Sequence, residues 1–244
     1  MSKARAPVQE NDTTRIETLF LDAGGVLLFP NWQRVCATLK KRGIEVDMAL
    51  LAASEVRVRY DLDTNVTAPI WKDGQGDWQF LDRVLTVAGV PTSPERAVAV
   101  RALRRYHATR NLWETVPADV VPALRRLRSL GLTLVVVSNS NGTVRKAIAR
   151  VGISNELNAI VDSHEEGVAK PNPKLFTVAL ARAHARRETT LHVGDMYRID
   201  VLGARAAGLH AILFDASGMY GGYDCPKVGS LHELADRIEA NDVR

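Results

Sequence analysis

Short apolar runs alternate with amphipathic helical patterns throughout the second half of the chain, and this alternation limits the possible folds more than any other feature. The apolar runs are residues 132–137, 159–161, 191–193 and 211–214. Their length and their Val, Ile and Leu content are typical of buried strands, and the helical patterns between them stop at glycines. Because strands that alternate with helices form parallel sheets, the sequence predicts an α/β fold with a doubly wound, Rossmann-like core.

An earlier, mostly apolar run, residues 16–21, leads directly into Asp22. We interpret this run as a further buried strand with Asp22 at its carboxyl end, where open α/β sheets bind ligands. Gly24 and Gly25 follow, and glycines let the backbone approach a ligand closely and direct N–H groups towards it. This stretch alone fits a functional acid and a simple turn equally well, so residues further along the chain decide between the two interpretations.

From about residue 31 to residue 114 the pattern stays helical, and no stretch resembles a strand. Three residues have the character of helix N-caps: Asn31, Asp47 and Ser93. The sequence therefore predicts a discontinuous core, residues 15–30 and 115–244, with an all-helical cap domain inserted at residues 31–114.

Polar residues follow the predicted strands of the second half. Ser138 and Asn139 come directly after one strand, and Asp195 comes after another, with Asp200 five positions later. Lys170 lies on a loop before a predicted helix. Because parallel strands end at the same edge of a sheet, we expect these side chains to gather near Asp22.

This set of residue types suits a divalent cation and a phosphate. Magnesium prefers oxygen ligands, usually one or two carboxylates with substrate and water oxygens. A lysine and a hydroxyl can bind phosphate oxygens, and a carboxylate beside them can attack phosphorus to form an aspartyl-phosphate.

The ordered set of motifs resembles the haloacid dehalogenase (HAD) superfamily, in the branch with a helical cap inserted after the first strand. The motifs are Asp-Ala-Gly-Gly-Val at 22–26, Ser-Asn at 138–139, Lys-Pro-Asn-Pro at 170–173, and Gly-Asp at 194–195 with Asp200. Each motif is short and unspecific by itself. The resemblance rests on their order and on the position of the helical insert, and it covers residues 15 to 240.

The resemblance implies a Mg²⁺ site made of acidic side chains and one carbonyl group. Asp22 would be both the nucleophile and a metal ligand. The carbonyl of Gly24 and the carboxylate of Asp195 would complete the protein ligands. Asp200 would lie in the outer shell of the metal or pair with Lys170.

The resemblance also implies a phosphate-binding pocket. Ser138 and Lys170 would bind the phosphoryl group during catalysis, with help from the backbone amides around Gly24 and Gly25. Asn139 would form part of the wall of the same pocket.

One departure from the family pattern bears on the reaction. Most phosphatases of this family carry a second Asp two positions after the nucleophile, which protonates the leaving group, and this chain has Gly24 there. Dehalogenases of the family also lack that Asp, because a halide leaves without a proton. Asp195 and Asp200 point instead to a magnesium-dependent phosphotransferase site.

We therefore expect a Mg²⁺-dependent phosphatase, a phosphoric monoester hydrolase acting on a small phosphorylated metabolite. Two alternatives remain open on the sequence. The protein could be a 2-haloacid dehalogenase with the same nucleophile, or a weakly active or non-catalytic ligand-binding member of the family.

Composition argues against several other classes of protein. The net charge is only +4 and the arginine-rich patches lie on helical patterns, so nucleic acid is not an expected partner. Cys36 and Cys225 are far apart and lie in no metal-binding pattern, which is typical of a reducing compartment. The sequence has neither an apolar signal-peptide core nor an apolar run of transmembrane length. We expect a cytoplasmic protein with no membrane partner, and the sequence does not indicate an oligomeric state.

Overall fold

The chain's computed structural model describes residues 15–65 and 76–243. Residues 66–75, which belong to the predicted cap, lie outside the described part of the chain. The strands are β1 (Thr18–Leu21), β2 (Phe29–Pro30), β3 (Trp113–Thr115), β4 (Thr133–Ser138), β5 (Ala159–Asp162), β6 (Thr190–Gly194), β7 (His210–Phe214) and β8 (Lys227–Val228).

Six of these strands form one parallel sheet in the order β5-β4-β1-β6-β7-β8. Strand β1 lies in the middle and pairs with β4 on one side and β6 on the other. The chain order reverses at β1, so the sheet is wound in both directions from this strand. The predicted α/β, doubly wound core is therefore confirmed.

The α-helices are α1 (Trp32–Lys40), α2 (Met48–Thr64), α3 (Gly76–Val87), α4 (Pro94–Arg110), α5 (Val120–Ser129), α6 (Val144–Arg150), α7 (Ser163–Glu166), α8 (Pro173–Ala183), α9 (Leu202–Ala206) and α10 (Leu231–Glu239). The three predicted N-caps are observed: Asn31, Asp47 and Ser93 each accept a hydrogen bond from a backbone amide in the first turn of α1, α2 and α4. Within the described residues, no helix combines the length and the apolar character needed to cross a membrane.

Helices cover both faces of the sheet because successive side chains of a strand point to opposite sides. On β1, Leu19 and Leu21 pack with the apolar residues of α5, α6 and α10. Phe20 points the other way and packs with those of α8 and α9. Burial on both faces explains why three apolar residues, Leu19, Phe20 and Leu21, follow one another in β1 instead of alternating with polar ones.

The segment between β2 and β3 contains α1 to α4, which share an apolar cluster of their own that includes Val35, Leu51, Leu85 and Leu103. One detail differs from the expected all-helical segment. Trp113 and Glu114 begin β3, which pairs in antiparallel fashion with β2 and not with the main sheet. The returning chain runs beside the departing chain, so the two backbones satisfy each other's hydrogen bonds. The boundaries of the cap domain at residues 31 and 114 remain a prediction.

Two elements in the last part of the chain, a π-helical turn and the edge strand β8, were not predicted from the sequence pattern. A π-helical turn, Tyr197–Val201, precedes the short helix α9, where the sequence suggested one continuous helix. The edge strand β8 has only two residues, too few to produce a pattern. The π turn matters for the site because Asp200 lies on it.

Candidate active site

A cavity of about 110 Å³ opens at the carboxyl ends of the central strands. It is lined by every residue predicted for the site: Asp22, Gly24, Gly25, Ser138, Asn139, Lys170, Asp195 and Asp200. Asp22 follows β1, Ser138 ends β4 and Asp195 follows β6. Because these three strands are neighbours in the sheet, residues far apart in sequence meet at one edge.

Lys170 lies at the centre of the site, with only 2% of its surface exposed. Its Nζ atom is 2.8 Å from Asp22 Oδ1 and 2.7 Å from Asp200 Oδ1. Burial opposes its positive charge, but the nearby carboxylates of Asp200 and Asp22 outweigh that effect and raise the pKa of Lys170 above its usual range. Lys170 is therefore a fixed positive charge at neutral pH.

The side chain of Asn139 holds the backbone of Lys170 in place. Asn139 Oδ1 accepts a hydrogen bond of 2.7 Å from the Lys170 amide, and Nδ2 donates one of 2.9 Å to the Lys170 carbonyl. The structure thus gives Asn139 a contact with the lysine backbone in addition to its place in the cavity wall.

Asp22, Asp195 and Asp200 form a cluster in which one carboxylate oxygen of each lies within 4.8 Å of the others. Burial raises the pKa of Asp22 to about 6, although Lys170 acts in the opposite direction. Burial likewise raises the pKa of Asp195 to about 6, with the positive charge of Arg59 opposing it. Both shifts reflect negative charge that is concentrated in a region of little solvent.

Asp200 is the most completely bonded member of the cluster. Its Oδ1 atom lies 2.9 Å from His192 Nε2, and its Oδ2 atom accepts a hydrogen bond of 3.1 Å from the Met196 amide. Burial by itself would raise its pKa, but Lys170 and the hydrogen bond from His192 hold the pKa of Asp200 below its usual range. Its approach also requires Gly194, because a Cβ atom there would lie 2.1 Å from Asp200 Cγ.

His192 is a part of the site that the sequence did not reveal. It lies in the middle of β6, fully buried, and burial lowers the pKa of its imidazole. A neutral ring whose Nε2 faces a carboxylate carries its proton on that nitrogen, so His192 donates to Asp200. The sequence did show a histidine within an otherwise apolar strand, which is an unusual place for a polar ring. It did not show that Asp200 would be its hydrogen-bond partner.

The two glycines after Asp22 differ in what they require. Gly25 has a φ of 79°, and a Cβ atom there would lie 1.8 Å from Asp195 Oδ2, so both conformation and space demand glycine. Gly24 is outside the left-handed region, and its nearest neighbour is the indole of Trp113.

Ser138 is buried, and within the described residues its hydroxyl makes no hydrogen bond.

A sequence model of the haloacid dehalogenase-like hydrolases matches residues 13–208. The chain belongs to this family. It is 32% identical over 126 residues to the glyceraldehyde 3-phosphate phosphatase of Methanopyrus kandleri, an alignment that spans 51% of this chain and only 54% of that protein. It is 27% identical over 199 residues to haloacid dehalogenase-like hydrolase domain-containing protein 3 of Homo sapiens, covering 77% of this chain and 76% of that one.

The fold of this haloacid dehalogenase-like hydrolase also matches solved structures. One is the putative HAD-hydrolase YfnB from Bacillus subtilis, in a magnesium-bound crystal form, with a TM-score of 0.69 at 18% identity. The match covers 92% of this chain and 99% of YfnB. At this level of identity the likeness establishes the shared fold. Because it covers 92% of this chain, the match includes the helical segment as well as the sheet.

The helical segment of this hydrolase contributes residues to the site that were not predicted. Arg59, on α2, forms an ion pair with Asp195 across the cavity and lies 3.2 Å from Glu55 one turn earlier. Burial raises the pKa of Glu55, with Arg59 opposing the shift. An Arg and a Glu four positions apart are common on helix surfaces, so the sequence carried no sign that this pair faces the active site.

Proposed function

We propose that this hydrolase is a Mg²⁺-dependent phosphatase that acts on a small phosphorylated metabolite through an aspartyl-phosphate on Asp22. The observation that carries the proposal is the cluster of Asp22, Asp195 and Asp200 around the buried Lys170. A dehalogenase that needs no metal has less need of two further acids beside its nucleophile. The name of the Methanopyrus kandleri relative, glyceraldehyde 3-phosphate phosphatase, supports the same choice.

The donor atoms of the cluster fit a hard divalent cation. All of them are carboxylate oxygens, and Mg²⁺ prefers oxygen ligands. Asp22, Asp195 and the Gly24 carbonyl would hold the ion, while Asp200, whose oxygens already accept hydrogen bonds, would orient Lys170. When bound, Mg²⁺ would neutralise charge on the transferring phosphoryl group.

The chain's own residues account for the remaining steps. Ser138 offers a free hydroxyl and Lys170 a fixed positive charge to the phosphoryl oxygens. An oxygen of Asp22 forms a bond to phosphorus while the ester P–O bond breaks, and the electron pair leaves with the ester oxygen. Water then hydrolyses the aspartyl-phosphate. Positioning and charge neutralisation supply most of the rate in reactions of this kind.

The test is a panel of phosphate esters assayed with and without Mg²⁺, with chloroacetate as a dehalogenation substrate. We expect turnover of phosphate esters that EDTA abolishes and no release of chloride. Chloride release that is insensitive to EDTA would replace this proposal with the dehalogenase alternative. Binding of phosphate esters without any turnover would favour a non-catalytic protein.

The variant Asp22→Asn tests the nucleophile directly. The amide is isosteric and can still accept the hydrogen bond from Lys170, so the protein should fold, but it is a poor nucleophile. We expect kcat to fall by at least about 10³-fold, measured with an aryl phosphate in Mg²⁺. Near wild-type turnover in purified Asp22→Asn would contradict the aspartyl-phosphate mechanism.

A further inference from the structure

The space beside Gly24, where related phosphatases carry the acid, is bordered by an aromatic side chain. A Cβ atom built on Gly24 would lie 3.5 Å from Trp113 Cδ1 and 3.6 Å from Trp113 Nε1. These are ordinary van der Waals distances, so the edge of the indole that carries the N–H group borders the place of the missing side chain. Trp113 also lines the same cavity as Asp22.

Trp113 is held in a fixed orientation. It begins β3, and its ring lies edge-on to His107 with centroids 5.5 Å apart and tilted against Phe80 at 6.0 Å. It packs against the apolar clusters of both the core and the helical segment. A ring braced in this way presents its N–H group with little freedom to turn aside.

The indole N–H group has no partner within the protein as described. Among the residues whose side chains the structure describes, 15–65 and 79–243, no oxygen or nitrogen accepts a hydrogen bond from Trp113 Nε1. Buried or half-buried indole groups normally find an acceptor. An unused donor at the wall of a catalytic cavity is consistent with an acceptor that arrives with the substrate.

We propose that Trp113 donates a hydrogen bond to the leaving-group oxygen of the substrate. The inference rests on the proposed phosphatase activity. As Asp22 forms its bond to phosphorus, the ester P–O bond breaks and the electron pair remains on the leaving oxygen. The indole N–H stabilises that negative charge, and the oxygen takes its proton from water after it has left.

This arrangement predicts the substrate class. An indole N–H donates a hydrogen bond but does not give up its proton near neutral pH, unlike a carboxylic acid. It can stabilise a departing anion, but it cannot turn a poor leaving group into a neutral alcohol. The site therefore fits phosphate monoesters and acyl phosphates whose leaving groups are already weak bases, such as phenols, enols and carboxylates.

A competing source of a proton lies on the same cavity wall. Glu55 is buried, and burial raises the pKa of its carboxyl group, so it could act as a general acid. The two roles predict different results, because protonation removes most of the dependence of rate on leaving-group pKa, whereas a hydrogen bond reduces it only in part.

The first experiment compares kcat/KM for a series of aryl phosphates with leaving groups of different pKa, together with an alkyl phosphate. Trp113→Phe keeps an aromatic ring at this position and removes the N–H group. We expect a loss of roughly tenfold to hundredfold for the poorest leaving groups and little loss for p-nitrophenyl phosphate, so the dependence on leaving-group pKa becomes steeper. Trp32→Phe, which removes an indole from the cap cluster away from the cavity, is the matched control and should leave the slope unchanged.

An equal loss for all leaving groups in Trp113→Phe would overturn the inference while leaving the phosphatase proposal intact. A slope that becomes steeper in Glu55→Gln but not in Trp113→Phe would overturn it in favour of Glu55 as a general acid. Absence of any phosphate ester turnover in the wild type would overturn both proposals together.

A second measurement requires no turnover and uses the wild-type protein. The chain has four tryptophans, so ¹⁵N labelling gives four indole N–H signals, and Trp113→Phe identifies one of them. Mg²⁺ with orthovanadate places an apical oxygen where the leaving group departs. We expect the Trp113 proton to move downfield and exchange more slowly with water; an unchanged signal in a protein that binds vanadate would refute the hydrogen bond.

Discussion

Lys170 is a buried charge whose two carboxylate partners compensate for the cost of its burial. It lies between Asp22 and Asp200, and each Nζ–Oδ1 distance is below 3 Å. Charged groups are buried in proteins when they are paired, and removal of one partner leaves the others uncompensated. The same lysine is therefore expected to be needed both for the stability of the protein and for the reaction.

We predict that Lys170→Met lowers the free energy of unfolding by about 3–5 kcal/mol at neutral pH, because two buried carboxylates lose their positive partner. Chemical denaturation of the metal-free protein measures the effect. Lys174→Met, at an exposed position in the first turn of α8, serves as the control and should change stability by less than about 0.5 kcal/mol. Equal stability of the two variants would show that Lys170 is not a structural charge.

The acidic cluster predicts a pH dependence of metal binding. The pKa values of Asp22 and Asp195 are about 6, above the ordinary value of about 3.9. Below pH 6 each acid holds a proton that a cation must displace, so the apparent Mg²⁺ affinity falls as the pH falls and is highest above that pH.

Calorimetric titration with Mg²⁺ at pH 5 and at pH 7.5 tests this. We expect at least tenfold weaker binding at the lower pH, with proton release that is visible as a dependence of the binding heat on the buffer. The same affinity at both values would mean that the acids of the cluster are already ionised at pH 5. Asp195→Asn should bind Mg²⁺ weakly throughout.

The variant Gly24→Asp places an acid two positions after the proposed nucleophile Asp22, where most phosphatases of the family carry one. In Gly24→Asp the backbone needs no left-handed conformation, and the new Cβ would only touch the Trp113 indole. General-acid help is worth about 10²–10⁴ in rate, and it matters most for poor leaving groups. We expect kcat/KM to improve for alkyl phosphates relative to aryl phosphates; an unchanged ratio would mean that the added carboxyl does not reach the leaving oxygen.

At the scale of elements, the side chain of Asp63 connects helix α2 to the π turn that carries Asp200 through hydrogen bonds. Asp63 is buried near the end of α2. Its Oδ2 atom accepts hydrogen bonds from the Tyr197 amide at 2.6 Å and the Tyr220 hydroxyl at 2.9 Å, and its Oδ1 atom accepts one from the Arg198 amide at 2.9 Å. A single side chain thus connects the helical segment to the loop that shapes the acidic cluster.

Asp63→Ala should therefore lower the free energy of unfolding by about 2–4 kcal/mol, since it leaves buried donors without an acceptor. Asp61→Ala is the matched control on the same helix, because Asp61 is half exposed and, among the described residues, its carboxylate pairs with Arg57 alone. Thermal denaturation of both variants in EDTA gives the comparison. A similar, small change in both would indicate that α2 is not anchored through Asp63.

The elements that could be predicted are those whose sequence signals are local. The acids and the hydroxyl of the site followed strands with clear apolar patterns, and the rule that parallel strands end at one edge brought them together. Arg59 could not be predicted in the same way, because it meets Asp195 across 136 positions of sequence through the docking of a helix. Trp113 was missed for a related reason: its strand has three residues and pairs outside the main sheet.

At the scale of the whole molecule, residues from two parts of the chain line the cavity. The sheet edge supplies the acids, the lysine and the serine, whereas Arg59 and Glu55 come from the helical segment, and Trp113 comes from the strand that leads back from it. The apolar cluster of the helices is distinct from the two clusters that flank the sheet. We therefore expect substrate preference to depend also on residues that lie outside this edge of the sheet.

The pairing of β2 with β3 means that the chain leaves the sheet and returns to it at a single point. Pro30 lies opposite Trp113, so the ends of the helical segment are neighbours even though they are more than eighty positions apart in sequence. An insertion with adjacent ends can lengthen, shrink or be exchanged for another without rethreading the strands around it. In evolutionary terms, the part of such a chain that forms the sheet can be inherited unchanged while the inserted helical segment diverges.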